Sequence, residues 1–449
     1  MTNRAAGVLL HPTSLPNRVL DEHAWWFVDW MHKAGLSIWQ VLPLTAPHDD
    51  LSPYHSISAF ALNPRLLPPG WQQQVDERAF AAFVAKPPHW LEDYALFMVL
   101  RSRFELACWS CWPEQYRMRD AQALQQIAQQ ESEQMLQFKR EQFYLLQLWR
   151  ELRQHASSKG VELFGDMPIF VAYNSVEVWC QPQQFKLDAQ LKPAVVTGVP
   201  PDYFSATGQR WGNPHYNWPV MEQDNFSWWC SRVAAALELF DLVRIDHFRG
   251  LEASWEIAAS EPTAVNGSWV KAPGKKLLAR LQQQFPGLPL VAEDLGIITP
   301  EVVELKESFG LPGMSVLQFG FSGLPDNPHS PAALVENSVV YTGTHDNDTT
   351  MGWLADLHPG TREWMLQQVA TEAGEMPWPL IVTALRSVAR RVIVPMQDWL
   401  GLGSEHRMNT PGTTENNWHW QFDWAQLPEG LEQRIRYWVE QSRRLPRQL

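Results

Sequence analysis

Eight short apolar runs, each breaking into polar or charged residues, constrain the fold of this chain more tightly than any other feature. They are Val8–Leu10 before His11, Ile38–Leu44, Val161–Val171, Asp241–Asp246, Leu288–Glu293, Met314–Phe319, Ser338–Thr344 before His345 and Asp346, and Val392–Asp398. A strand buried on both faces of a parallel sheet reads as a near-continuous apolar run, and such folds collect their chemistry at the carboxyl ends of the strands. Helical patterns separate several of the runs, among them Trp25–Ala34 and Pro300–Phe309. Thr299-Pro300-Glu301 reads as the start of the second, with proline in the first turn. Eight strands alternating with helices predict an α/β fold closed into a (β/α)8 TIM barrel rather than an open sheet. The 449 residues suit a single catalytic barrel, 1–449, with insertions.

Two spacings exceed a plain strand–helix unit. Residues 63–160, between the second and third strands, read as a helical insertion. There Phe138, Leu145, Trp149 and Leu152 keep one apolar stripe on a helix closed by Ser157-Ser158-Lys159-Gly160. Residues 174–236, between the third and fourth strands, are rich in Pro, Gly, Asn and aromatics. Their turn-rich centre, Gly198–Pro214, would overhang the active face as a lid.

A net charge of -13 argues against a nucleic-acid backbone as substrate and favours a neutral or small polar one. The chain has 24 Trp. A large core absorbs many, yet the excess also suits faces that stack on sugar rings. Of the four cysteines, Cys108 and Cys111 form a C-x-x-C in a Trp-rich helical stretch, and Cys180 and Cys230 stand apart. Without zinc-finger spacing they read as buried free thiols. The apolar run at the start, Met1 to Leu10, is too short for a signal peptide, and no stretch has the length of a membrane span. A cytoplasmic protein is expected.

Ionisable groups cluster at four strand ends: Arg244 with Asp246, Glu293 with Asp294, His345 with Asp346, and Asp398. Two carboxylates at the mouths of neighbouring strands, the fourth and fifth, are the minimum equipment for breaking a glycosidic bond. Asp246 suits a nucleophile because Arg244, two residues earlier, points to the same face and favours its ionised form. Glu293 follows an apolar run that would raise its pKa towards a proton-carrying role. His345 and Asp346 could bind sugar hydroxyls and stabilise an oxocarbenium-like transition state. The rival chemistry is a metal-dependent barrel. It is weakened because the first strand supplies only His11 and because the adjacent pairs Asp246-His247 and His345-Asp346 point to opposite faces. No glycine-rich strand-to-helix turn of the nucleotide-binding type occurs.

Longer motifs add a resemblance. Gly7-Val-Leu-Leu-His-Pro-Thr-Ser-Leu-Pro16, Trp39-Gln-Val-Leu-Pro-Leu44 and Ser52-Pro-Tyr-His-Ser-Ile-Ser-Ala-Phe-Ala-Leu-Asn-Pro64 occur in order. Pro200-Pro-Asp-Tyr-Phe-Ser-Ala-Thr-Gly-Gln209, Arg244-Ile-Asp-His-Phe-Arg-Gly250, Ala292-Glu-Asp-Leu-Gly296 and Gly343-Thr-His-Asp-Asn-Asp348 follow. Together they resemble the 4-α-glucanotransferases of the amylomaltase (disproportionating enzyme) family, in the α-amylase-like superfamily. The resemblance implies double-displacement transfer of α-1,4-glucan segments between maltooligosaccharides, without metal or organic cofactor. It implies Asp246 as nucleophile, Glu293 as acid/base and Asp346 as transition-state stabiliser. Tyr54, Arg244 and His345 match substrate-binding positions, and Asp202, Gln209 and Trp211 fall in the family's lid segment.

The chain departs from that family at two places. After Pro16 the usual glycine-rich stretch is replaced by Asn17-Arg-Val-Leu-Asp-Glu22, which shortens a loop on the active face. Ala172-Tyr173-Asn174-Ser175 stands where many members read Ala-His-Asp-Ser, removing an imidazole and a carboxylate from a sugar subsite. An α-amylase-like hydrolase and a non-catalytic glucan-binding protein are the alternative readings. The carboxylates Asp246, Glu293 and Asp346 weigh against the second.

Overall fold

In a computed structural model that describes residues 4–202 and 205–446, parallel pairing dominates. Tyr203 and Phe204 of the segment expected as a lid, and Met1 to Asn3 of the amino-terminal segment, lie outside the described residues. In chain order the strands are β1 Ala5–Leu9, β2 Ile38–Gln40, β3 Glu162–Pro168, β4 Val195–Val199, β5 Gln209–Pro214 and β6 Leu242–Asp246. They continue with β7 Ala253–Ala258, β8 Gly267–Lys271, β9 Leu290–Ala292, β10 Gly313–Val316, β11 Ser338–Tyr341 and β12 Arg391–Pro395.

Eight of them form one parallel sheet in the order β10-β11-β12-β1-β2-β3-β6-β9. Its outer strands meet where the Ala292 amide donates to the Pro312 carbonyl (2.9 Å). The Met314 amide adds a bond to Asp294 Oδ1 (2.7 Å). This is the predicted eight-stranded α/β barrel with flanking helices. Its strands are buried on both faces, as their composition demands: Val392, Ile393 and Val394 of β12 and Val339, Val340 and Tyr341 of β11 have no exposed surface. Each such side chain contributes about 1.5–3 kcal/mol by leaving water. Gly165 on β3 is required by close packing, since a Cβ there would lie 2.1 Å from the Phe240 ring.

Strand and helix ends differ from the sequence pattern for local reasons. The first helix begins at Glu22, one turn before Trp25, because Asp21 caps it by accepting the His23 amide (3.0 Å). Gly35, at φ 77°, ends it. The helix after β9 spans Pro300–Ser308 with Thr299 as its cap position. Ladder pairing in β2 stops at Gln40, although the apolar run continues to Leu44. After β12 the chain turns into the helix Met396–Leu400.

Between β2 and β3 run the helices Glu77–Ala85, Leu91–Arg103, Glu114–Arg117, Ala121–Gln130 and Ser132–Ser158. The last buries Leu145, Trp149 and Leu152 completely. A second, antiparallel sheet of order β5-β4-β7-β8 was not legible as a unit. It draws β4 and β5 from before the fourth barrel strand, β6, and β7 and β8 from after it. Its edge strand β8 is largely exposed, so no continuous apolar run marks it. Among the described residues, no helix is long and apolar enough to cross a membrane. Cys108 and Cys180 are half-buried, Cys230 is buried and Cys111 is exposed; all are unpaired thiols. The expectation of a buried C-x-x-C fails at Cys111, because a short helical turn at Trp109–Cys111 lays it on the surface while Trp109 fills the core.

Candidate active site

The barrel's carboxyl-end rim assembles around Arg244. This guanidinium lies in β6, opposite Asp166 in the β3–β6 register. It donates to Asp166 Oδ2 (2.7 Å) and to Asp246 Oδ1 (2.9 Å). Asp166 has no exposed side-chain surface, and its Oδ2 also accepts the Tyr54 hydroxyl (2.6 Å). A buried cation shared by two carboxylates satisfies charges that would otherwise be costly to desolvate. Tyr54 comes from the loop after β2, which is pinned across its base by the Ala46 amide to the Ala61 carbonyl (3.0 Å).

Glu293 follows β9 directly. Its Oε2 accepts the His247 amide (2.7 Å) and its Oε1 the Leu295 amide (2.8 Å). The residue beside Asp246 therefore fixes the Glu293 carboxyl. Burial pushes Glu293 above the usual carboxylate range, against Arg244 and the two amides. Burial also pushes Asp246 up, with Asp166, Glu293 and Asp346 adding to the push and Arg244 opposing it. The sequence expectation that Arg244 favours an ionised Asp246 thus names one contribution, which works against burial and against the neighbouring carboxylates.

His345 and Asp346 follow β11. The His345 ring stacks on Tyr54 (centroids 5.1 Å, interplanar angle 16°), and Trp418 leans on both rings. Burial lowers the pKa of His345, keeping it neutral. Asp346 is 48% exposed; its Oδ1 lies 3.4 Å from His345 Nε2 and accepts Asn409 Nδ2 (2.6 Å). Arg407 donates to its backbone carbonyl (3.0 Å). His11, at the end of β1, is buried beside His345 and its pKa is pushed down to about 3, first by that burial.

Asp246, Glu293, Asp346, Tyr54, Arg244 and His345 therefore converge. Gln209 and Trp211 lie on β5, joined by a bond from Trp211 Nε1 to Gln209 Oε1 (3.1 Å). Trp211 sets its ring edge-on to His247 (4.8 Å, 89°), so β5 reaches the residue after Asp246. Asp202, ahead of β5, accepts the Ser205 amide (2.8 Å).

Two carboxylates expected at the rim are elsewhere. Asp294 points away from Glu293, as adjacent extended residues do, and binds Lys306 Nζ (2.6 Å) as well as the Met314 amide. Asp398 lies in the helix after β12, fully enclosed, accepting the Thr342 hydroxyl (2.6 Å) and the Thr350 amide and hydroxyl (both 2.7 Å). Asp398→Ala is expected to cost about 2–4 kcal/mol, since it strands three buried donors. Urea unfolding monitored by tryptophan fluorescence measures it, and an unchanged midpoint would contradict the assignment. The acidic and imidazole groups close enough to share an ion, among the described residues, are Asp21, Glu22 and His23 rather than the rim carboxylates.

The structure also adds functional candidates that no strand-end pattern marks: Asp166, Trp418, Asn409 and Arg407. At the two departures from the resembled family, Asn17 and Val19 line an open groove of about 750 Å3 with Pro64, Pro68 and Trp71. Tyr173 and Asn174 are tied to both insertions: Trp109 donates its Nε1 to the Tyr173 carbonyl (2.8 Å) and its amide to Asn174 Oδ1 (3.3 Å), and the Tyr173 hydroxyl donates to the Leu191 carbonyl (2.8 Å).

A family model described as 4-alpha-glucanotransferase, of glycoside hydrolase family 77, matches residues 10–74 and 70–426. The chain belongs to the 4-alpha-glucanotransferase family. A 4-alpha-glucanotransferase of Thermus thermophilus is 45% identical over 496 aligned positions, covering 98% of this chain and 99% of the relative. One from Synechocystis is 38% identical, covering 98% of each. Among solved structures, the amylomaltase of Streptococcus agalactiae in complex with acarbose superimposes with a TM-score of 0.92 at 32% identity, covering 98% of this chain and 99% of that one. The amylomaltase of Corynebacterium glutamicum, at 15% identity and a TM-score of 0.77, shares the fold. This 4-alpha-glucanotransferase-family chain is thus an enzyme of the amylomaltase type.

Proposed function

We propose that the protein transfers α-1,4-glucan segments between maltooligosaccharides by double displacement, through a covalent glucosyl-enzyme. The observation that carries this reading is the convergence of three carboxylates with different supports: Asp246 on a guanidinium, Glu293 on two amides, and Asp346 on Asn409 at the exposed mouth. Glu293 gives its proton to the glycosidic oxygen as the C1–O bond breaks, and Asp246 attacks C1. The charge-assisted bond from Arg244 is stronger than an amide bond, which favours leaving the negative charge on Asp246 and the proton on Glu293. Glu293, now ionised, takes the proton of an acceptor 4-hydroxyl. That oxygen then displaces Asp246, and the configuration at C1 is retained. Asp346 steadies the positive charge that develops on the sugar ring.

Tyr54, His345 and Trp418 form an aromatic wall suited to a pyranose face, and Arg244 holds the nucleophile in register. Gln209, Trp211 and Asp202 would guide the acceptor from the lid. A neutral glucan suits the chain's negative charge, and an exposed Cys111 thiol suits the reducing cytoplasm.

Maltotriose tests the reading. The expected products are glucose together with maltotetraose and longer oligosaccharides, resolved by chromatography. Glucose and maltose alone would mean hydrolysis by the same residues, and an unchanged substrate would mean binding without turnover.

A further inference from the structure

His247 adopts a left-handed backbone (φ 51°), a conformation costing a non-glycine residue about 1–2 kcal/mol. That conformation aims its amide at Glu293 Oε2. Two residues on, Arg249 Nη1 donates to the Ile297 carbonyl (2.5 Å), holding the far end of the segment whose Leu295 amide serves Glu293 Oε1. Both side chains, His247 and Arg249, meet an aromatic ring. Trp211 abuts the His247 imidazole at 4.8 Å, and Trp269 lies under the Arg249 guanidinium at 3.7 Å. These two tryptophans sit on β5 and β8, the opposite edges of the antiparallel sheet β5-β4-β7-β8. The sheet is stiffened between them: Trp255 on β7 pairs with Trp269 in register and packs on it (5.2 Å).

We propose that this four-stranded sheet is a clamp that positions Glu293, gripping His247 through Trp211 at one edge and Arg249 through Trp269 at the other. Trp269 is a positioning residue: its observed contacts are with Arg249 and Trp255, and it reaches Glu293 through the bonds that Arg249 and His247 make. The clamp rests on the reading of Glu293 as acid/base. It gives the lid a mechanical link to the chemistry, since a shift of β5 moves the same sheet that holds Arg249.

Trp211 is proposed to face the acceptor, so Trp269 is the cleaner residue to change. Without its ring, Arg249 loses one face and the Leu295–Ile297 segment loosens. Each amide bond lost removes support from the Glu293 carboxylate, so its acid form persists to higher pH. The charged groups that act on Glu293, namely Arg244 and Asp246 on β6 and the adjacent Asp294, which points away from it, stay unchanged. Trp269→Ala is therefore expected to lower kcat about 10- to 100-fold with little change in KM. The alkaline limb of its pH profile should move up by about half a pH unit or more. Trp269→Phe, which keeps a ring face, should restore both. Should Trp269→Ala fail to fold, Trp269→Leu keeps the apolar edge without the ring and is read in the same way. An unchanged kcat, or a fall in kcat with an unmoved alkaline limb, overturns the clamp. Glu293→Gln is assayed alongside. If that variant turns over normally, the acid/base reading itself fails; if it is inactive while the Trp269 variants keep the parent limb, only the clamp fails.

Discussion

Asp246→Ala is expected to abolish glucan transfer, with kcat lower by about 10⁴-fold or more, while the fold stays intact. The variant removes the atom that would attack C1, and nothing nearby can take its place. Asp166 is enclosed beneath Arg244 and committed to Tyr54, and Glu293 is held by two backbone amides. Stability should suffer far less. Arg244 keeps its bond to Asp166, so the buried cation is not left unpaired, and the Asp246 side chain is itself 29% exposed. Maltotriose disproportionation measured against thermal unfolding separates the two effects. An Asp246→Ala enzyme retaining more than a small fraction of parent activity would sink the mechanism. A variant that loses activity only because it no longer folds would contradict the account of the Arg244 pairs.

The barrel and most of the rim were legible because burial on both faces writes itself into a strand as an unbroken apolar run. Arg244, Asp246, Glu293, His345 and Asp346 all stand at or just past the ends of such runs, where a polar residue is conspicuous, whereas Tyr54 lies in the loop beyond the second run and was legible only through the resemblance of its Ser-Pro-Tyr motif. Asp166 was hidden for the opposite reason. It lies within the run Val161–Val171, and a single carboxylate there looks like part of the strand. A charged group inside an apolar strand must find a buried partner. Its register with Arg244 supplies that partner, but register is not visible before the sheet is known.

Other residues were misplaced or missed through geometry that composition does not carry. The strand-end pattern places Asp294 at the mouth with its neighbour Glu293, yet adjacent residues on extended backbone diverge, and Asp294 closes the barrel against Met314 instead. The apolar run predicts Asp398 at a strand end, but Pro395 ends the ladder and a helix begins at Met396. Trp418 and Asn409 come from a segment without helical or strand periodicity. Trp418 reaches Tyr54 from a left-handed backbone (φ 66°) that no composition rule flags. The antiparallel sheet was missed because its strands come from two separate stretches of chain on either side of β6, and one edge faces solvent.

Glu293→Gln carries the second large expected effect, and it separates the two halves of the proposed cycle. With maltooligosaccharides, whose leaving oxygen needs a proton, loss of the acid should lower kcat by about 10²- to 10⁴-fold. The alkaline limb that reports Glu293 deprotonation should vanish with it: the acid form works below its raised pKa and is lost as pH rises through it. An α-glucosyl fluoride donor needs no such proton, because fluoride leaves as the anion. Asp246 can therefore still attack, and the C1–F bond breaks as the C1–O bond to Asp246 forms. The second step still lacks its base, so the glucosyl-enzyme should accumulate and appear in intact-protein mass spectrometry as one added glucosyl unit. Mapping that mass to the peptide containing Asp246 tests the nucleophile and the covalent intermediate together. Full activity on maltotriose, or a mass shift on any peptide other than the one bearing Asp246, would overturn the assignment of the two carboxylates. The glutamine carbonyl can accept from only one of the His247 and Leu295 amides, while its NH2 sets a donor against the other, so this variant removes the proton and one of the two backbone bonds but, unlike Asp246→Ala, keeps the side chain's volume in place.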